Sequence, residues 1–166
     1  MVHKYKYWIF EKALDSNLCD AIVKIGLSKQ TKKALTLGFE EKENKGELTE
    51  KDMEELNKIR KSNVAWLNEP WLYKILQNYL EMANVRSGWE FQWSHSEEIQ
   101  FTEYKDGCFY DWHADSDDDS TRDKVCRKLS MSVSLTDPKE YEGGEFEFDY
   151  RNTTKTPAIE EVTRLR

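Results

Sequence analysis

Cysteine is scarce in this 166-residue chain, with only Cys19, Cys108 and Cys126. The count is odd and no pair has C-x-x-C spacing. That argues against a disulfide framework and a cysteine-rich zinc site, and fits a reducing, cytoplasmic setting. Histidine is equally scarce: His3, His95 and His113. No apolar run approaches the ~18 residues that a membrane-spanning helix needs. Residues 1–10 carry Lys4 and Lys6 but no apolar stretch or small-residue cleavage site after them, so they do not read as a signal peptide. A clean basic stripe is missing too. Lys29–Lys33 is short and is followed by acidic residues, and the formal net charge is -7, which argues against nucleic acid as a partner. Internal repeats and low-complexity tracts are absent.

What is present is enough to fold. Hydrophobic residues make up 38% and aromatic residues 13% of the chain, so global disorder is excluded. The length suits one domain. Tyr5–Phe10 is aromatic-rich and alternates weakly, as an opening strand would. Asp15 or Ser16 can cap a helix with Leu18, Ala21, Ile22 and Ile25 on one face, and Gly26 can end it. Residues 29–50 are polar and read as a surface loop or insertion. Thr49–Lys61 reads as a short helix with Thr49 as N-cap, and Ser62–Leu67 as a strand. Pro70 suits the first turn of a further helix whose broad apolar face runs from Trp71 to Ala83.

From Trp89 the hydrophobic period changes to two. Trp89–Trp93, Ile99–Glu103, Phe109–Asp115, Lys128–Leu135, Gly144–Tyr150 and Ala158–Thr163 are the strand candidates. Helices first and strands afterwards predict an α+β domain, with helices buttressing an antiparallel sheet or sandwich. The expected division is residues 1–88 as a helical support and 89–166 as the strand region.

The chemistry concentrates at His113-Ala114-Asp115. On a strand, His113 and Asp115 share a face while Ala114 points away. An imidazole and a carboxylate so placed can chelate one divalent metal, two thirds of the His-carboxylate-His facial triad of non-haem Fe(II) oxygenases. The rival reading is a surface His–Asp hydrogen bond. Trp112, beside the pair, reads as core. Asp115, Asp117 and Asp119 begin like an EF-hand loop, but positions six and twelve are then Ser120 and Cys126. The EF-hand reading therefore fails, and the acidic run reads as a solvated loop beside the site that could favour a cationic substrate or a divalent ion.

The ordered set Tyr104-x-x-Gly107-x-x-Tyr110-x-x-His113-x-Asp115, then Arg127-Lys128-Leu129-Ser130, then Tyr141-Glu142-Gly143-Gly144-Glu145 resembles the prolyl 4-hydroxylase-like 2-oxoglutarate/Fe(II) oxygenases, closest to the small bacterial and phage type. The resemblance is strong over residues 97–150. It implies a double-stranded β-helix (jelly roll) with N-terminal supporting helices. It implies Fe(II), 2-oxoglutarate and dioxygen, and hydroxylation of a C–H bond in a peptide or protein substrate, with proline one candidate target. Under it, His113 and Asp115 bind iron, Tyr104 lines the 2-oxoglutarate pocket and Arg127 lies near the substrate entrance. Tyr104 reads equally as a core tyrosine, and Arg127 as a solvated strand-end charge.

The sequence departs from the family pattern in one respect. The pattern has a second histidine after the Gly-Gly strand and then a Lys or Arg for the distal carboxylate of 2-oxoglutarate, whereas no histidine follows His113. The expectation is a jelly roll lacking its last strands. His95 is a distant candidate for the third ligand, and His3 reads as a surface residue. Two other classes stay open: a non-catalytic jelly-roll binding module with an incomplete metal site, and a cupin-like metalloenzyme that does not use 2-oxoglutarate.

Overall fold

A computed structural model describes residues 5–115, 127–149 and 159–162. In chain order the elements are α1 (Ser16–Ser28), β1 (Lys32–Lys33), α2 (Leu37–Lys45), α3 (Glu50–Ile59), β2 (Arg60–Lys61), β3 (Asn63–Leu67), α4 (Pro70–Ser87), β4 (Ile99–Glu103), β5 (Phe109–Tyr110), β6 (Phe146–Asp149) and β7 (Ile159–Val162). This is an α+β arrangement with three small antiparallel sheets, ordered β1-β3-β4, β2-β5 and β6-β7. Among the described residues the strands do not close into a barrel, so the jelly roll expected from the resemblance is not seen as a closed structure. The chain divides into two compact units, Met1–Trp8 with Ile25–Met131, and Ile9–Lys24 with Ser132–Arg166.

The first unit is organised by the β3–β4 ladder. Asn63 pairs with Glu103 and Leu67 with Ile99, which sets the small Ala65 opposite Phe101. Val64, Ala65, Leu67 and Phe101 are buried, together with Leu72 of α4 and Leu56 of α3. The last turn of α1 meets this core at Gly26, where a Cβ would lie 2.4 Å from Phe101 Cγ. Gly26 therefore does not end the helix, which continues to Ser28. It is glycine so that backbone can lie against a ring.

Capping chemistry fixes the helix ends. Asp15 Oδ1 accepts from Leu18 N at 3.0 Å, as an N-cap should. Thr49 and Asp52 form a reciprocal capping box at the start of α3. Lys42 Nζ reaches Asp52 Oδ1 at 2.5 Å. This ammonium first, and Thr49 next, hold the Asp52 carboxyl well below the usual range. Residues 29–50, expected as a loop, thus contain β1 and α2. Gly46 stops α2 in the left-handed conformation, φ 71°, and the Lys42–Asp52 pair ties it to α3. Pro70 opens α4 as expected, and Gly88 closes it at φ 69°.

Three expected strands are not formed. Tyr5–Phe10 is irregular. Trp89–Trp93 alternates in sequence, yet the Asn84 side chain takes both main-chain groups of Phe91, donating to its carbonyl at 2.9 Å and accepting from its N–H at 3.0 Å. That amide occupies the place of a neighbouring strand, and Glu90 at φ 55° breaks the extended run. Lys128–Leu135 has no ladder partner among the described residues.

In the second unit β6 and β7 pair antiparallel, Phe146 opposite Val162 and Asp149 opposite Ile159, close to the expected ranges. Gly143 and Gly144 both have positive φ. A Cβ on Gly144 would lie 3.3 Å from Tyr141 Cε2, the close approach that the Gly pair suggests.

Gly26→Ala adds a methyl group where Phe101 already sits. Overpacking of about 1–3 kcal/mol should outweigh the helix-propensity gain of about 1 kcal/mol. Denaturant unfolding should show net destabilisation for Gly26→Ala. Gly38→Ala, with nothing within 4 Å of its added Cβ, should be neutral or stabilising. A stable Gly26→Ala protein would show that the helix does not press on the Phe101 ring.

Candidate metal centre

The site grows from the two-residue ladder β2–β5. Arg60 pairs with Tyr110 and Lys61 with Phe109, so Arg60 and Tyr110 leave one face and Lys61 and Phe109 the other. One more main-chain bond, Asp111 N to Ile59 O at 2.8 Å, extends the ladder. There the extended run stops. Asp111 Oδ1 accepts from Trp112 N at 2.8 Å and turns the chain, so His113 and Asp115 lie beyond the strand rather than on it. The alternation expected over Phe109–Asp115 holds only for its first two residues.

His113 and Asp115 meet all the same. His113 Nδ1 is 2.8 Å from the Asp111 carbonyl oxygen. A carbonyl only accepts, so Nδ1 carries a proton, and in the neutral ring the lone pair is then on Nε2. His113 Nε2 lies 3.4 Å from Asp115 Oδ1. Two donors on one first-row divalent ion, each about 2.0–2.2 Å from it, stand roughly 3.0–3.4 Å apart. The pair therefore fits a shared metal, with the tautomer that a metal ligand needs. A main-chain carbonyl behind the imidazole is the usual orienting partner of a ligating histidine.

The imidazole is also held through its face. Tyr110 stacks on His113 with ring centroids 3.6 Å apart and planes 12° from parallel. The Arg60 guanidinium lies over Tyr110, 4.4 Å from its centroid. Burial pushes the Tyr110 hydroxyl pKa up, and the Arg60 charge pulls it the other way.

Asp115 is held at its main chain. Arg127 Nη1 donates to the Asp115 carbonyl at 2.5 Å. The same guanidinium grips Glu97 with two bonds, Nε to Oε1 at 2.9 Å and Nη2 to Oε2 at 2.5 Å. The hydrogen bond from Arg127 lowers the Glu97 pKa, and the bond to Glu97 raises that of Arg127. Arg127 is thus tied to the segment before β4 and to the segment carrying Asp115 together.

Tyr104 follows β4 and is half exposed. Burial of its inner half raises its pKa, opposed by the Arg60 charge and the Ser62 hydroxyl. Trp112, expected in the core, is 46% exposed, because the turn at Asp111 carries it outward. His95 is exposed and shares a hydrogen bond with Ser94. Among the described residues, no group of three or more His, Cys, Asp and Glu gathers around a common point, so His95 does not join the pair. His3, Asp117, Asp119, Ser120 and Cys126 lie outside the described residues. A cavity of about 320 Å³, lined by Lys33, Asn57, Lys61, Ser62, Asn63 and Cys108, includes none of His113, Asp115, Tyr104 and Arg127.

Sequence reasoning missed Arg60, Tyr110 as a support, and Glu97. Arg60 sits where a helix passes into a strand and was counted with the helix. Glu97 meets Arg127 across thirty residues, a contact with no local signal.

Comparison with known proteins finds a family model that resembles part of the chain. A model of the 2OG-Fe(II) oxygenase superfamily matches residues 99–164, a stretch that contains Tyr104, His113, Asp115 and Arg127. No curated protein and no solved structure matches the chain. The superfamily match supports a dioxygenase-type function using Fe(II), 2-oxoglutarate and dioxygen. No helix among the described residues is long and apolar enough to cross a membrane.

His113→Ala and Asp115→Ala should each weaken divalent-metal binding by about a hundredfold or more, since even outer partners of a ligand are worth about 10–100-fold. His95→Ala should leave it unchanged. Anaerobic Fe(II) titration measures all three. Unchanged affinity in Asp115→Ala would remove that carboxylate from the site.

Proposed function

We propose that the chain is an Fe(II)- and 2-oxoglutarate-dependent dioxygenase of the prolyl 4-hydroxylase-like type, hydroxylating a C–H bond of a peptide or protein substrate, with a prolyl residue as the candidate target. The observation that carries the reading is the fixed tautomer of His113, whose Nε2 lone pair stands 3.4 Å from Asp115 Oδ1 inside the superfamily match. The ordered motifs from Tyr104 to Glu145 support the finer assignment.

Bound Fe(II) would supply activation of dioxygen, coupled to conversion of 2-oxoglutarate to succinate and carbon dioxide, with the second oxygen atom entering the substrate C–H bond. The chain's own residues do the rest. The Asp111 carbonyl and the Tyr110 ring orient the imidazole. Glu97 and Arg127 fix the main chain at Asp115. Tyr104 lines the 2-oxoglutarate side and Arg127 lies at the substrate entrance. His113 and Asp115 are both exposed, so the face between them is open to ligands. That two protein donors and no third meet among the described residues favours the second reading, a jelly-roll binding module with an incomplete metal site.

Turnover separates the two. With Fe(II), 2-oxoglutarate and proline-containing peptides, the enzyme reading predicts equimolar succinate formation and dioxygen consumption, and a mass gain of one oxygen atom on a peptide. Asp115→Ala should abolish both. Metal binding with no 2-oxoglutarate-dependent succinate would leave the binding module or the cupin-like enzyme.

A further inference from the structure

The two faces of the β2–β5 ladder differ in chemistry. Arg60 and Tyr110 leave one face, where Tyr110 stacks on His113 and Arg60 Nε donates to the buried Ser62 Oγ at 3.2 Å. Lys61 leaves the other face, and so does Asn63, two residues on. Lys33 pairs with Asn63 across the β1–β3 ladder, and Ala34 N extends that ladder to Ser62 O at 3.0 Å. Lys33, Lys61 and Asn63 thus gather on one side of the sheet. The cavity of about 320 Å³ lies there, with Asn57 from the last turn of α3, Ser62 and Cys108 completing its lining among the described residues.

Local structure places these groups. The turn Lys105–Cys108 closes with Cys108 N donating to Lys105 O at 2.8 Å, and Gly107 takes φ 67° within it. A Cβ on Gly107 would lie 3.9 Å from Lys61 Nζ, so the Lys61 ammonium lies against this turn, next to Cys108. Among the described residues that line the cavity there are two lysines, two asparagines and no carboxylate. Glu103 stands near its edge, 3.5 Å from Asn63 Nδ2, and Lys105 Nζ pairs with it at 3.4 Å. The volume is that of a small-molecule site, about 300 Å³ or more.

Two ammoniums at one cavity call for an anion. The planar arginine fork matches a carboxylate, whereas lysine is a compact point charge with three rotatable donors. Two lysines, with no arginine among the described lining, suit a tetrahedral oxyanion. A phosphate monoester carries about -1.5 to -2 charge at neutral pH, which balances the pair. The carboxamide N–H groups of Asn57 and Asn63 can donate to its remaining oxygens. A bare phosphate, with the bulk of roughly two or three waters of about 30 Å³ each, would leave most of the space unfilled. The lysine stems and the Cys108 thiol offer an apolar wall to a short carbon chain. We propose that this cavity is a binding site for a small organic phosphate monoester, with Lys33 and Lys61 holding the phosphate. The site lies on the side of the ladder away from His113, and it does not depend on the proposed function.

The test titrates the full chain, without added metal, at about pH 7.5, where a monoester is close to doubly charged. Binding is read from heat and from the ³¹P resonance. Glycerol 2-phosphate is the monoester probe, dimethyl phosphate the singly charged diester and succinate the dicarboxylate. Glycerol 2-phosphate should saturate a single site and bind about tenfold or more tighter than the other two, the scale of one charge-assisted hydrogen bond. Inorganic phosphate, which lacks the carbon part, should bind more weakly than the monoester. Lys33→Met and Lys61→Met should each weaken glycerol 2-phosphate binding by about tenfold or more. Lys45→Met removes the same charge from an exposed position on α2 and should stay within about twofold, because distant surface charges are screened. Binding that does not saturate, or equal losses in all three lysine variants, would overturn the proposal. Dimethyl phosphate or succinate bound as tightly as the monoester would overturn the choice of ligand, and so would inorganic phosphate bound at least as tightly.

Discussion

The hydrogen bond from Asp111 N to Ile59 O, 2.8 Å long, is the constraint on which the geometry at His113 depends. It closes a ladder of only two residue pairs and fixes the Asp111 peptide. The carbonyl of Asp111 takes the Nδ1 proton of His113. The same ladder sets Tyr110 opposite Arg60, and the Tyr110 ring then packs flat against His113. Edge and face of one imidazole are thus controlled from one short stretch of sheet. A hydrogen bond of this kind contributes only about 1 kcal/mol to stability. Here it also decides which ring nitrogen can hold a metal.

Asp115, the proposed second ligand, is held differently. Asp115 has no strand beneath it, and its main chain is fixed by Arg127, itself clamped on Glu97. Both members of that clamp are substantially exposed, and exposed pairs contribute little to stability. Its consequence is positional: it ties the segment carrying Asp115 to the residues just ahead of β4, the strand with the best-formed ladder in its unit. Cation chemistry also recurs around the site in two forms, a solvent-facing Arg127 clamped on Glu97 and a buried Arg60 bonded to Ser62 and the Leu35 carbonyl.

Much of this was legible in the sequence where the signal was local. Thr49 announces α3 through a reciprocal box with Asp52, Pro70 opens α4, and Ile99–Glu103 keeps its period of two as β4. The spacing of His113 and Asp115 predicts that their side chains meet, and they do. They converge through a turn at Asp111, not through strand alternation. Trp89–Trp93 shows the limit of periodicity. Its pattern is a strand's, but a side-chain amide from α4 satisfies Phe91 first. Gly26 reads as a helix stop and is a contact point for Phe101, because the sequence does not show what lies across from a helix. Glu97 and Arg60 were illegible for the same reason: their partners are distant in sequence, and neither sits in a motif.

The claim at the centre of this account is that the ladder presents His113 Nε2, and not Nδ1, to a metal shared with Asp115. Long-range ¹⁵N–¹H correlation spectra of the three histidines, with and without Zn(II) as a diamagnetic stand-in for Fe(II), test it directly. The account predicts a protonated Nδ1 at His113 in both states, with Nε2 unprotonated and strongly shifted when metal is added. A protonated Nε2, or a metal-induced shift at Nδ1 or at no nitrogen of His113, would contradict it.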